Sequence, residues 1–266
     1  MKDSLRRIVS RLQALLFSLY HPSSVHTNQD TGLIKLIACL TMLVDHAGKM
    51  LFPQYPVMRE IGRLAFPLFA YGIAVGAVYT QNPARYLSRV VLLAIVCQPL
   101  YALGLAHENP RMYAVSFFEH PFGAMSSFYM NSWQKPSILF ALSLGLLLIL
   151  CLRHRQWALA LGVYLLCFRL SAYLDYGIHG IHLMLIFYAL CEHPAACFAA
   201  AFSFMLWWSM QGSGYTFLGL RVGLRIFSLP AVAFACLPMK RRLRLPKWFI
   251  YGFYPAHLVA LILLCK

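Results

Sequence analysis

The amino-acid sequence predicts an all-α, polytopic membrane protein with about nine transmembrane helices, in a range of roughly 8–10, and an N-terminal amphipathic interfacial helix. Of its 266 residues, 61% are hydrophobic and only 12% are charged, whereas an ordinary soluble domain has roughly 25% charged residues. The apolar residues also form long runs, which short basic connections separate. One soluble core would not hide so much apolar surface, so lipid is expected to cover much of it.

The N-terminal region, residues 1–30, is predicted to contain a cytoplasmic amphipathic helix and a polar linker. Apolar side chains recur at helical spacing over residues 4–20, opposite Arg6, Arg7 and Arg11. A helix with one basic face and one apolar face is typical of segments that lie on a membrane surface.

The rest of the chain, residues 31–266, is predicted to be one multi-spanning membrane domain. A long outer loop, residues 106–134, interrupts the series of spans. The predicted spans lie near residues 33–52, 60–80, 86–105, 136–152, 156–173, 178–192, 194–211, 216–238 and 247–265.

The basic residues predict the orientation of the chain. The sequence has 23 Lys and Arg residues against 8 Asp and Glu residues, with a net charge of +15. Most of the loop charges fall in segments on the side of the N-terminus, and the opposite segments hold only Arg111, Lys135 and Lys266. The positive-inside rule therefore predicts a cytoplasmic N-terminus. Because these charges do not cover a polar face, a nucleic-acid partner is not expected.

Ionisable residues inside apolar spans are the first candidates for a functional site, because burying them in lipid is costly. Asp45 and His46 lie in the first span and His257 in the last, at similar predicted depths. Arg63 enters from the outer end of the second span, and Asp175 lies in an outer turn. These groups are expected to converge on the outer half of the membrane, as a catalytic site or as ion pairs between helices.

The partner of His46 is expected to come from another span. Asp45 and His46 are adjacent, and adjacent side chains on a helix do not face each other. Asp45 is therefore not expected to orient the His46 ring directly. Asp175 and His257 are the candidates for that role.

Three further groups of residues have two interpretations each. His179 and His182 have a spacing that would suit a metal, but no matching Cys or carboxylate ligands follow, and no metal is expected. Arg221 and Arg225 would contact substrate or join helices. The basic loop with Lys240, Arg241 and Arg242 would hold cofactor phosphates or serve only as a topology signal.

Several blocks of the sequence resemble the TraX family of conjugal transfer proteins. The blocks are Thr41-Met-Leu-Val-Asp45-His46, Gly62-Arg63-Leu-Ala-Phe-Pro67-Leu-Phe, Asp175-Tyr176-Gly177 and Phe253-Tyr254-Pro255-Ala-His257-Leu. The resemblance runs from about residue 31 to the C-terminus. It implies a bacterial inner-membrane acetyltransferase that uses acetyl-CoA to modify the N-terminus of a pilin, with kinship to other membrane acyltransferases. It also assigns Asp45, His46, Arg63, Asp175 and His257 to the site.

The leading hypothesis is acyl transfer from cytoplasmic acetyl-CoA to an acceptor protein or glycan at the outer face. His46 would act as general base or carry the acyl group, with Asp45 or Asp175 tuning it. Arg63 would stabilise the oxyanion, and His257 would complete a proton relay. The remaining predicted substrate contacts are His179, Arg221 and Tyr254.

Two alternatives belong to other functional classes. A proton-coupled transporter would use the same Asp and His residues as a proton pathway. A non-catalytic pilus assembly factor would use its charges only to specify how the helices pack.

Overall fold

The computed structural model describes residues 31–105, 112, 115–217, 219–236 and 243–265, and these form an almost entirely helical fold. The predicted N-terminal amphipathic helix and the basic residues Lys240, Arg241 and Arg242 lie outside the described residues. The helices are α1 (Gly32–Met50), α2 (Pro56–Gly62), α3 (Ala65–Tyr79), α4 (Pro83–Leu105), α5 (Pro121–Ser132), α6 (Ile138–Arg153), α7 (Trp157–Arg169), α8 (Gly177–Leu190), α9 (Pro194–Met210), α10 (Leu229–Cys236) and α11 (Lys247–Leu264).

Helix α3 lies at the centre of the packing. It contacts α1, α6, α8 and α10, while α11 packs against α1 and α4. The main core therefore draws on distant parts of the sequence, with Leu68 of α3, Leu146 of α6, Phe187 of α8 and Leu258 of α11 all fully buried. A smaller apolar cluster joins α6, α7 and α8 around Cys167.

Proline and arginine residues mark several helix ends. Pro56, Pro121 and Pro194 stand in the first turns of α2, α5 and α9, where a missing N–H costs no hydrogen bond. At the other end of α3, Arg153 donates from Nη1 to the carbonyl oxygens of Ala77 (2.6 Å) and Thr80 (2.9 Å). It thereby satisfies acceptors that the helix leaves open at its C-terminal end.

The apolar helices fit a membrane protein, although nine spans remain a prediction. Within the described residues, two helical stretches are long and apolar enough to span a bilayer: Pro56–Tyr79 and Pro83–Leu105, with mean hydropathies of 1.6 and 1.7. Six further apolar helical stretches among these residues are shorter, with 10–17 residues. Trp157–Arg169 has 13 residues and rises about 20 Å, against a hydrocarbon thickness of about 30 Å. Its exposed Leu and Phe side chains are nevertheless suited to lipid contact.

The predicted span at residues 216–238 is wrong. Strands β1 (Gly214–Phe217) and β2 (Leu220–Gly223) form an antiparallel hairpin there, followed by a 3₁₀ helix (Leu224–Ser228) and then α10. Gly214 and Gly219 have φ angles of 118° and 80°, which glycine adopts without strain. The strands are rich in the aromatic and β-branched residues that favour β structure. The stretch is mostly apolar but also holds Arg221 and Arg225, and it did not become one helix.

Two other predicted elements differ from the structure. The expected outer loop at residues 106–134 contains α5. The second expected span, 60–80, consists of α2 and α3, joined at Arg63 and Leu64. Both linking residues keep right-handed helical dihedral angles, so the chain continues in nearly the same direction through the junction.

Candidate active site

A pair of buried histidines joins the first and last described helices. His46 Nδ1 of α1 lies 2.8 Å from His257 Nε2 of α11, and the two residues are only 8% and 5% exposed. His257 Nδ1 lies 2.8 Å from the carbonyl oxygen of Phe253. A carbonyl oxygen only accepts hydrogen bonds, so His257 carries its proton on Nδ1. With both rings neutral, His257 Nε2 then accepts from His46 Nδ1–H, and His46 Nε2 keeps a free lone pair.

Aromatic rings hold the two imidazoles in place. The Phe253 ring stacks on His257 at 5.3 Å between centroids, and Tyr254 meets His257 edge-on at 5.4 Å. Tyr254 also approaches His46 edge-on at 6.4 Å. The structure therefore puts Tyr254, which is 4% exposed, against the histidine rings rather than in the cavity described below.

Asp45 contacts two arginines instead of the neighbouring histidine. Its Oδ2 lies 2.7 Å from Arg59 Nη1, and its Oδ1 lies 2.8 Å from Arg63 Nη2. The two arginines are four residues apart on the α2 segment, so they share one face. Gly62 is necessary for this approach, because a Cβ atom there would collide with the Asp45 side chain. The cluster of Asp45, Arg59 and Arg63 is called the ion-pair cluster below.

The backbone of Arg63 is held by a residue far away in the sequence. Pro67 lies four residues after Arg63 and has no N–H to give to the Arg63 carbonyl oxygen. That oxygen accepts a hydrogen bond from Ser228 Oγ of the 3₁₀ helix, at 2.9 Å. A second link joins the same two regions, because the Tyr215 hydroxyl of β1 donates to Glu60 Oε1 at 3.1 Å.

The turn before α8 carries Asp175 to the same site. Gly177 adopts a φ angle of 57°, and the Ile178 backbone N–H donates to Ser171 Oγ at 2.9 Å. The Tyr176 ring stacks on Phe66 with 3.8 Å between centroids. Asp175 keeps exposed surface and lines the cavity, yet the protein around it raises the pKa of its carboxyl by limiting hydration, while Arg63 lowers that pKa.

These groups surround a cavity of about 120 Å³. Its ionisable lining, apart from His46, consists of Asp45, Asp175, Lys49, Arg59 and Arg63, together with the tyrosines Tyr101 and Tyr176. With the acids and bases ionised, the lining has one excess positive charge, which favours a substrate group that is or becomes negative. The volume lies below the roughly 300–1,000 Å³ of pockets for drug-sized ligands, so it suits a small group.

The structure separates the predicted site residues into three sets. The first set lines the cavity and consists of Asp45, His46, Arg63 and Asp175. His257 does not line it but contacts His46. His179 and Arg221 are not among the lining residues. Lys240, Arg241 and Arg242 fall outside the part of the chain that the structure describes.

The two outlying residues have different surroundings. His179 stacks on Trp208, with 5.3 Å between ring centroids, and the guanidinium carbon of Arg225 lies 4.7 Å from the centroid of that Trp208 ring. Arg221 is exposed on β2, opposite Thr216, because its segment is a hairpin rather than a descending helix. Among the described residues, no group of three or more His, Cys, Asp or Glu side chains is arranged to hold a metal.

Four ionisable cavity residues were not predicted from the sequence: Lys49, Arg59, Tyr101 and Tyr176. Three of them carried a signal, since Tyr176 stands beside Asp175 in one of the family blocks. Lys49 is four residues after Asp45, and Arg59 four residues before Arg63, so each shares a helix face with a selected residue. Tyr101 had none, because only the packing of α4 against α1 brings it to the cavity.

Comparison with known proteins gives a family and a few relatives. The sequence profile of the family described as "TraX protein" matches residues 30–265. A probable fimbrial assembly protein, FimC of serogroup H1, from Dichelobacter nodosus is 26% identical over 160 residues, covering 58% of this chain. An uncharacterised protein of Rickettsia prowazekii (strain Madrid E) is 32% identical over 66 residues, 25% of this chain. The chain spans 59% of the first relative and 25% of the second. No solved structure matches.

Proposed function

The chain belongs to the TraX family, and from that membership and its candidate site we propose that it is an integral-membrane acyltransferase. It moves an acetyl group from cytoplasmic acetyl-CoA to an acceptor at the outer face of the bacterial inner membrane. The proposed acceptor is the N-terminus of a pilin subunit. The cytoplasmic N-terminus and the nine spans are part of this proposal, and the loop charges support them.

The observation that carries the proposal is the orientation of His46. Its Nδ1–H is engaged by His257, which is itself anchored on the Phe253 carbonyl oxygen. His46 also lines the cavity, so its free Nε2 is the group available to a substrate. This arrangement matches the general requirement for a base that is held in one tautomer by a third group.

The chemistry follows from that free nitrogen. His46 Nε2 takes the proton of the acceptor amine or hydroxyl as the acceptor attacks the thioester carbonyl carbon. The carbon–sulfur bond then breaks, and the proton passes from His46 to the departing thiolate. In the alternative route, Nε2 attacks the thioester carbonyl carbon and the carbon–sulfur bond breaks, so that the CoA thiolate leaves. The acceptor then attacks the acetyl-imidazole, His46 is regenerated, and the proton of the acceptor passes to the thiolate.

The ion-pair cluster supplies charge stabilisation in this scheme. Arg63 and Arg59 line the cavity beside His46, where they would stabilise the negative charge that develops on the carbonyl oxygen. Asp45 holds both guanidinium groups and thereby positions them. Asp175, which also lines the cavity, is proposed to tune the site.

Cavity size supports a short acyl group. A space of about 120 Å³ has room for the reacting end of acetyl-CoA and the acceptor group, and the rest of the cofactor would remain outside. The residues proposed for its phosphates are Lys240, Arg241 and Arg242, on the cytoplasmic side. A protein or glycan acceptor would reach the cavity from the opposite side.

The pilus connection is supported by the relative from Dichelobacter nodosus, which is named a probable fimbrial assembly protein. The same name favours a second candidate function, a non-catalytic pilus assembly factor. In that case the buried charges serve packing alone. The two functions differ in whether a covalent acetyl group appears on the partner.

The test compares envelope proteins and glycans from cells with the gene, without it, and with His46→Ala. Intact-mass spectrometry should show one acetyl group, on a pilin N-terminus, that disappears in the deletion and in His46→Ala at normal protein abundance. An assembly factor would leave acetylation unchanged and reduce the number of pili. Intact acetylation in His46→Ala would contradict the proposed role of His46.

A further inference from the structure

A second cavity lies away from the candidate active site, between α4, α5 and α6. We call it the α4–α6 groove. It has a volume of about 420 Å³, and its walls include Val91, Ala94, Ile95, Phe140 and Leu144. This volume is within the range of small-molecule sites. Beside its lining residues on α4, Leu92 and Val96 are 61% and 55% exposed.

The hydroxyl groups along the groove already have hydrogen-bond partners. Tyr129 donates to the Ile95 carbonyl oxygen at 3.4 Å, an acceptor left open because Pro99 has no N–H four residues later. Ser143 Oγ donates to the carbonyl oxygen of Leu139 at 2.7 Å. A ligand in this groove therefore meets hydrocarbon and aromatic surface, which favours an alkyl chain.

An exposed lysine and an indole lie in the chain segment beside one end of the groove. Buried Gln98 clamps the connection between α5 and α6: its Nε2 donates to the carbonyl oxygens of Ser132 (2.7 Å) and Lys135 (3.1 Å), and its Oε1 accepts from Ser137 N–H (2.9 Å). The clamp sets exposed Lys135 beside Trp133, which also lines the groove.

The length of the groove fits the part of a lipid acyl chain that is nearest to the headgroup. Along α4, the groove runs from Leu87 to Ile95, which is about 12 Å of helix rise. Tryptophan and lysine at one end of an apolar surface mark the level of lipid headgroups. Lys135 is also one of few basic residues in the predicted outer loops, where the positive-inside rule disfavours them. A local anionic partner would account for its position.

We propose that the α4–α6 groove binds one anionic phospholipid, with an acyl chain between α4 and α6 and its phosphate at Lys135. The site is separate from the histidine pair and does not depend on acyl transfer. It requires only that these helices face lipid. An acidic headgroup is specified because the exposed side chain beside this end of the groove, that of Lys135, is positively charged.

The test uses the full chain in phosphatidylcholine nanodiscs that contain phosphatidylglycerol with a photoreactive diazirine in its acyl chain. Mass spectrometry of the cross-linked peptides should find label on Val91, Ile95 and Leu144. The same diazirine on phosphatidylcholine should label these residues about fivefold less, since one lysine near a membrane surface discriminates by about that factor.

Three variants and one control separate this site from general lipid contact. Lys135→Gln should remove the headgroup preference, while Ala94→Phe and Ser143→Leu should fill the groove and abolish the label on Leu144. Leu165→Phe, on the exposed face of α7, should leave the groove label unchanged. Size-exclusion elution identifies a variant that does not fold, and Lys135→Gln, which changes an exposed side chain, remains informative in that event.

Two results would overturn the proposal. Equal labelling by both headgroups, in the groove and around Leu165 alike, would mean that only the general lipid annulus is detected. Absence of lipid label from Val91 and Leu144 with both headgroups, while Leu165 is labelled, would mean that protein rather than lipid covers the groove.

Discussion

Two adjacent residues of α1 take part in arrangements with opposite physical character. His46 joins His257 in a pair surrounded by aromatic rings, and proton position is the property that this pair controls. Asp45, one residue earlier, holds two guanidinium groups. Because adjacent helical residues face in different directions, one turn of α1 serves both arrangements, and both reach a single cavity. The histidine pair is suited to move a proton, and the ion-pair cluster to fix charge in place.

Replacing His46 should have the largest effect. In His46→Ala, the acetyl transfer rate should fall about 10³-fold, as expected for loss of a general base, while protein abundance stays normal. His154→Ala is the matched control, because His154 is exposed at the C-terminal end of α6. The acetyl transfer rate is measured with purified protein and labelled acetyl-CoA. If His46→Ala and His154→Ala transfer acetyl groups at the same rate, the histidine pair has no role in proton transfer.

His257 should behave as a positioning residue. His257→Leu gives His46 Nδ1–H no acceptor and should lower kcat by roughly 10–100-fold, the range typical when a metal-bound imidazole loses the partner that orients it. KM should change little, since His257 is not among the residues that line the cavity. His257→Gln offers an amide oxygen and should restore part of kcat. A packing role alone would give Leu and Gln variants the same kcat.

Gly62 tests the geometry of the ion-pair cluster. Gly62→Ala puts a Cβ atom against the Asp45 side chain, so it should destabilise the protein by about 1–3 kcal/mol, as overpacking does. Gly162→Ala is the control, because no atom lies within 4 Å of that added Cβ. In the interior of α7 it should stabilise the helix by up to about 1 kcal/mol. Thermal unfolding in detergent measures both, and a stable Gly62→Ala would disprove the close contact.

Ser228 should give the smallest effect. Ser228→Ala leaves the Arg63 carbonyl oxygen without its donor and should cost about 1 kcal/mol, with a several-fold decrease in kcat as Arg63 loses its anchor. Ser228→Thr keeps the hydroxyl and should retain most of the activity. If Ala and Thr variants have the same kcat, the hydrogen bond does not position Arg63.

The sequence predicted the long apolar helices well and the hairpin poorly, for a physical reason. A run such as Ile138–Arg153 is apolar up to its terminal arginine and forms a helix as expected. The stretch 216–238 is mostly apolar too, but its glycines and β-branched residues allow a turn and two short strands. Average hydropathy does not distinguish these cases, because short apolar runs are compatible with either structure.

The candidate site was also predictable only in part: its residues were, and the contacts between them were not. Asp45, His46 and His257 were identifiable as candidates because ionisable residues are costly in apolar segments, and Arg63 and Asp175 because they stand in the family blocks. The contacts between these residues were not predictable from the sequence, since they depend on how distant helices pack. The hydrogen bond from Ser228 to Arg63 spans 165 residues. Pro67 in the sequence indicates that the Arg63 carbonyl oxygen has no helical N–H donor. Only the folded structure identifies Ser228 as its donor.

The central claim is that this protein transfers acetyl groups across a membrane through His46. The most direct measurement uses proteoliposomes with labelled acetyl-CoA on the side of the cytoplasmic loops and a pilin N-terminal peptide on the other. The wild-type protein should acetylate the peptide, and His46→Ala should form product about 10³-fold more slowly. Absence of product with correctly oriented wild-type protein, or equal product from His46→Ala, would contradict the account.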